Sequence, residues 1–77
     1  MKEIEIFTGP GCGYCDAAKA LLERHRLAFI ERDVSDAAVQ AEFGERLPRV
    51  RSIPQIFIDG EHIGGYEDLV LRLRSAR

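Results

Sequence analysis

Cysteine is scarce in this chain. There are two in 77 residues, and both fall within GPGCGYC, residues 9–15. Histidine is equally scarce, at positions 25 and 62. A structural zinc site takes four cysteine or histidine ligands at close, regular spacing. His25 stands near the far end of the helix that the cysteines begin, and His62 lies in a later hairpin. The set has no such spacing, and both histidines read as surface residues. A disulfide joining residues 12 and 15 would close only a tiny loop and constrain the unfolded chain little. Excess positive charge is also missing: 11 basic residues face 13 acidic ones, for a net charge of −2. Arg46, Arg49 and Arg51 form the one basic cluster, with no aromatic residues between them. That composition does not point to a nucleic-acid partner. The cluster reads either as a solvated loop or as a local anion site.

Long apolar runs are lacking too. None approaches the roughly 18 residues of a membrane span, so no membrane partner is expected. No secretory signal opens the chain, since Met1-Lys2-Glu3 leads straight into IEIF. The expected compartment is therefore a reducing cytoplasm. There a close cysteine pair is expected to be catalytic or metal-binding rather than structural. No repeat, linker or low-complexity segment divides the sequence, so residues 1–77 are expected to form one small domain. With 45% apolar residues, a packed core is feasible without metal.

Lys2 to Thr8 alternates, with Ile4 and Ile6 on one face and Glu3 and Glu5 on the other, and reads as a strand. Gly9-Pro10-Gly11 ends it, as a tight turn or as a place of close backbone approach to a ligand. Gly13 to His25 is rich in helix formers, with Ala17, Leu21 and Leu22 on one face beside Ala18. Lys19, one turn beyond Cys15, reads as a surface residue. Leu27 to Val34 suits a second strand. Ser35 is the expected N-cap of a helix reaching about Arg46, with Val39 and Phe43 four apart. Pro48 ends it. Gln55 to Asp59 is strand-like, Asp59-Gly60 signals a two-residue hairpin, and Glu61 to Ile63 is the return strand. Tyr66 opens a last helix containing Leu69, Leu71 and Leu73. Acidic residues at its start and arginines at its end suit the helix dipole. The order is β-α-β-α-β-β-α: an α/β fold whose first two strands should be parallel through a right-handed crossover, with an antiparallel hairpin at the edge.

In this frame Cys12 opens the first helix and Cys15 lies one turn in. Unpaired backbone N–H groups and the dipole favour an anion at a helix N-terminus, and a thiolate is such an anion. Cys12 is therefore the expected nucleophile, and the less exposed Cys15 the resolving thiol.

FTGPGCGYCDAAKALL, SIPQIFIDGEHIGG and the following YEDL together resemble the glutaredoxin family, of thioredoxin-like fold, over nearly the whole chain. The resemblance implies a four-stranded mixed sheet with helices on both faces. It implies a glutathione-dependent thiol–disulfide oxidoreductase using the Cys12/Cys15 couple, with glutathione as co-substrate and glutathionylated or disulfide-containing proteins as partners. Pro54 would be the family's cis-proline, leaving the backbone of Ile53 to pair with glutathione. The turn at Gly65, with the N–H groups of Tyr66 and Glu67, would hold the γ-glutamyl carboxylate. Glu67 or Asp68 would take the amine, unless they only cap the helix. Arg51 would help hold the glycine carboxylate, and Tyr14 would form part of the pocket wall.

The chain departs from the family pattern at three places. Gly13 stands where many dithiol members carry proline. Relatives with a small residue there often hold a 2Fe–2S cluster between two subunits, with Cys12 and glutathione as ligands, so a cluster-bridged homodimer is the alternative to a monomeric enzyme. Gly9 stands where many members carry lysine. That removes a cation near Cys12, which Arg49 or Arg51 would have to replace, and it keeps open a dithiol donor reduced by thioredoxin reductase. The chain also ends at its last helix, where many members continue, as a minimal version or one domain of a fusion.

Overall fold

A computed structural model describes residues 3–75. The elements follow the order β1 (Ile4–Thr8), α1 (Gly13–Arg24), β2 (Ile30–Asp33), α2 (Ala37–Arg46), β3 (Gln55–Ile58), β4 (Glu61–Gly64), α3 (Tyr66–Ser75). The strands form one sheet in the order β2-β1-β3-β4. β1 runs parallel to β2 and antiparallel to β3, and β3 to β4 is antiparallel. The expected start of the first strand at Lys2 lies outside the described residues.

Both faces of the sheet are covered, and alternation along β1 and β3 divides the core in two. Ile4 and Ile6 of β1 join Ile56 and Ile58 of β3 beneath Ala18 and Leu22 of α1 and Leu69 of α3. On the opposite face Phe7 and Phe57 meet Leu47, with Val39 and Phe43 of α2 packed against them. The polar alternate of β1 is thus not a solvent face. Glu5 lies half-buried there with Arg32, Arg46 and Glu42 in one ion-pair network. The Arg46 guanidinium lies 4.0 Å from the Phe57 ring centroid, which joins charge to aromatic surface.

Several element ends differ from the sequence expectation. β2 starts at Ile30 rather than Leu27, its pairing with β1 beginning at Glu5↔Ile30. Asp36, not Ser35, caps α2: its carboxylate accepts from the N–H groups of Ala38 and Val39. Ser35 instead donates its N–H to Asp33 at 2.8 Å. The hairpin turn has φ of 51° at Asp59 and 82° at Gly60, the signs that a type I′ turn requires. Along α1 the buried residues are Cys15, Ala18 and Leu22, so the core stripe is rotated from the expected one. Of the three expected leucines of α3, Leu71 faces outward, 61% exposed. No helix among the described residues is long and apolar enough to cross a membrane.

Candidate active site

Cys12 is the N-cap of α1, and its sulfur accepts the N–H of Cys15 at 3.1 Å. A sulfur in that position meets the positive end of the helix and satisfies one of its unpaired donors. Its other neighbour is the carbonyl oxygen of Ile53, 3.7 Å away. Cys12 is partly exposed and Cys15 is buried; both are thiols. Burial pushes the Cys15 thiol up to about 12, helped by its hydrogen bond with Cys12, while the Gly9 backbone N–H and the Lys19 charge oppose the rise. At neutral pH Cys15 is therefore a protonated thiol.

The Ile53–Pro54 peptide bond is cis, as the sequence resemblance implied. Pro54 is buried at the foot of β3, and Gln55 just after it ties back to the Ser52 carbonyl at 3.1 Å. Gly9 faces this loop. A Cβ on Gly9 would stand 2.7 Å from Ile53 Cδ1, so the glycine makes room for Ile53 itself.

A cleft of about 710 Å³ opens beyond Ile53. Tyr14, Arg51, Ile53, Pro54, Gly65, Tyr66, Glu67 and Asp68 all line it. Residues more than fifty positions apart in the chain are thereby brought together. The rings of Tyr14 and Tyr66 lie 5.8 Å apart at one wall. The N-terminus of α3 supplies another, and Asp68 Oδ2 accepts the Gly65 N–H there at 3.0 Å. Asp68 is thus engaged in capping. Gly64, at φ +124°, passes beneath its carboxylate, where a Cβ would overlap the oxygen.

A search against protein-family models matches residues 4–63 to glutaredoxin. The chain belongs to the glutaredoxin family. Glutaredoxin 3 of Escherichia coli K12 is 44% identical over 70 residues, covering 90% of this chain and 83% of that protein. The crystal structure of glutaredoxin 1 from Francisella tularensis, complexed with cacodylate, has a TM-score of 0.81 at 33% identity, covering 96% of this chain and 94% of that one. A buckwheat glutaredoxin–glutathione complex has a TM-score of 0.80 at 26% identity, covering 95% and 69% respectively. The β-α-β-α-β-β-α order and the mixed sheet are those of thioredoxin-like glutaredoxins. Glutaredoxins are, as a family, thiol oxidoreductases that use glutathione as co-substrate.

The cleft also takes in residues beyond the glutathione-contact set expected from the sequence, Gln55 and His62 among them. Arg49 lines it beside Arg51, whereas Arg46, the third of the basic cluster, is held in the Glu5 and Glu42 network. Gln55 and His62 also line it. His62 is not an isolated surface residue: Nε2 stands 2.7 Å from Gln55 Oε1, and the ring lies 5.1 Å from that of Phe57. The signal for His62 was its place in the strand paired with β3. Lys19 is likewise not simply a surface residue, for its ammonium bonds Glu31 at 2.9 Å.

Proposed function

We propose that this glutaredoxin-family chain is a glutathione-dependent thiol–disulfide oxidoreductase. The observation that carries the reading is the position of Cys12: its sulfur caps α1 and stands 3.7 Å from the carbonyl oxygen of Ile53, a residue of the cleft wall. The Cys12 thiolate attacks the glutathione-linked sulfur of a mixed disulfide, and the substrate thiol leaves. A second glutathione releases the glutathione now carried on Cys12. For an intramolecular protein disulfide, Cys15 attacks the Cys12 mixed disulfide instead, giving the Cys12–Cys15 disulfide.

The cleft suits glutathione by charge. The N–H groups of Tyr66 and Glu67 open α3, which favours a carboxylate. Arg51 and Arg49 offer cations for the second carboxylate. Glu67 takes the amine, because one Asp68 oxygen is already used on Gly65. Tyr14 forms the wall, and Ile53 and Pro54 present backbone to an extended peptide. The protein works as a monomer in the cytoplasm on glutathionylated and disulfide-bonded proteins.

The deciding experiment is reduction of a small glutathione mixed disulfide, with NADPH and glutathione reductase regenerating glutathione. The Cys12→Ser variant loses all turnover, and Cys15→Ser retains deglutathionylation but not reduction of protein disulfides. Full activity in Cys12→Ser would overturn the mechanism.

One observation favours a second reading. A Cβ at Gly13 would meet nothing within 4 Å, so the ground beside the partly exposed Cys12 is open. A 2Fe–2S cluster takes thiolates, and Cys12 plus one glutathione from each of two subunits would supply four. Protein that stays colourless after reconstitution with iron, sulfide and glutathione would sink this reading.

A further inference from the structure

Gln55 is a buried polar side chain, 6% exposed, at the start of β3. A buried amide has to find partners for both its ends. Its nitrogen donates to the Ser52 carbonyl oxygen at 3.1 Å and stands 3.3 Å from the Ser52 hydroxyl. A carbonyl only accepts, so the nitrogen end is fixed toward Ser52 and the oxygen end faces β4. There Gln55 Oε1 meets His62 Nε2 at 2.7 Å. The amide oxygen also only accepts, so Nε2 is the ring nitrogen that carries the hydrogen.

Strand geometry brings the two side chains together. Successive residues of a strand alternate faces. Gln55 and Phe57 stand opposite Phe7 and Glu5 of β1, on the face covered by α2. His62 is the cross-strand partner of Phe57. Its ring lies against the Phe57 ring, 5.1 Å between centroids, and it reaches Gln55 as a diagonal neighbour. Ser52, Ile53, Gln55 and His62 all line the cleft.

This chain of hydrogen bonds ends on a peptide unit next to the Cys12 sulfur. The Ser52 carbonyl and the Ile53 N–H belong to one planar trans unit, in which they point opposite ways. Holding the Ser52 oxygen on Gln55 therefore sets the direction of the Ile53 N–H. The carbonyl of the same Ile53 stands 3.7 Å from Cys12 Sγ. We propose that His62 is a positioning residue for substrate binding: its Nε2–H holds the Gln55 amide, and Gln55 holds the Ser52–Ile53 peptide in the orientation that receives the backbone of a glutathionylated substrate. The chain of bonds ends on the binding backbone and not on the Cys12 sulfur. Its effect therefore falls on the affinity for the peptide rather than on the reactivity of the thiol. The inference rests on the proposed glutathione-dependent function.

The test compares steady-state reduction of a glutathionylated peptide with the reaction of Cys12 with dithiodipyridine, a chromogenic disulfide that has no peptide backbone. His62→Phe keeps a ring against Phe57 and removes the donor. It raises KM for the peptide about three- to tenfold and changes kcat by less than about twofold. The dithiodipyridine rate is unaltered. His62→Gln places an N–H donor near the position of Nε2 and brings KM most of the way back. In a Gln55→Leu background His62→Phe adds no further rise, because the chain is already cut. An unchanged KM in His62→Phe overturns the proposal. So does an equal rise in His62→Gln, a slower dithiodipyridine reaction in His62→Phe, or an effect that adds in full to that of Gln55→Leu. Each of these leaves the proposed function standing. If the unsubstituted protein shows no reduction of the peptide that Cys12→Ser abolishes, the proposed function fails and this inference with it.

Discussion

At the scale of single residues, position rather than type separates the two cysteines. Both are thiols on one helical turn, yet one caps the helix and is partly exposed while the other is buried. Cys12 and Cys15 were legible from the C-x-x-C spacing at a strand-to-helix junction. His62 was not, because its part in the cleft depends on Gln55, seven residues away across the hairpin. Arg51 allows a direct check of ligand charge. It is exposed at the cleft, so its interaction with a carboxylate is screened and modest. Arg51→Ala should raise KM for a glutathionylated substrate about two- to fivefold, with kcat little changed, and added salt should shrink the difference. Steady-state kinetics at two ionic strengths checks this, and an unchanged KM would remove Arg51 from the site.

At the scale of elements, the type and order of every helix and strand were readable, but their edges were not. The first turn of α2 shows why. Ser35 and Asp36 are both good caps by type, and in the structure Asp36 caps the helix while Ser35 gives its N–H to the Asp33 carboxylate. The Asp36 carboxylate then serves two N–H groups, at 2.9 and 3.2 Å. Asp36→Ala should cost about 1 kcal/mol, whereas Ser35→Ala should cost much less. Urea denaturation of the two variants would decide it, and equal losses would argue against Asp36 as the cap. The β3–β4 hairpin was the easiest element to foresee, since Asp-Gly supplies both left-handed residues of its turn. Its tip is tied back to the sheet by Asp59, whose carboxylate and N–H both bond the backbone of Glu3 at 2.7 Å.

At the scale of the whole molecule, ion pairs link elements that hydrophobic patterning alone would not join. Arg32 of β2 and Arg46 of α2 each pair with both Glu5 of β1 and Glu42 of α2. Arg32 holds the Glu42 carboxyl below its usual value near 4.5. Lys19, and next Thr8, do the same for Glu31. A carboxyl whose folded value is depressed binds fewer protons folded than unfolded. Its contribution to stability is thus fully present above about pH 4.5 and is lost as pH falls through the lower folded value. The urea midpoint should therefore be flat from pH 7 to 5 and fall below about 4.5. Glu42→Gln should be less stable near neutrality and show a shallower acid fall. Parallel pH profiles for the two proteins would contradict the network's part in stability.

By itself the sequence determined the element order, the edge hairpin and a close cysteine pair at a helix start. Those follow from local chemistry: side-chain periodicity, turn residues that accept left-handed backbone, and a thiol placed at a helix start. Only the tertiary structure decided that the Glu5 face of β1 is covered, that Arg46 leaves the basic cluster for an ion-pair network, and that Lys19 is tied to Glu31 of β2. Each of these depends on which charges from distant elements meet once the sheet is packed on both faces, and pairing across space leaves no period along the chain.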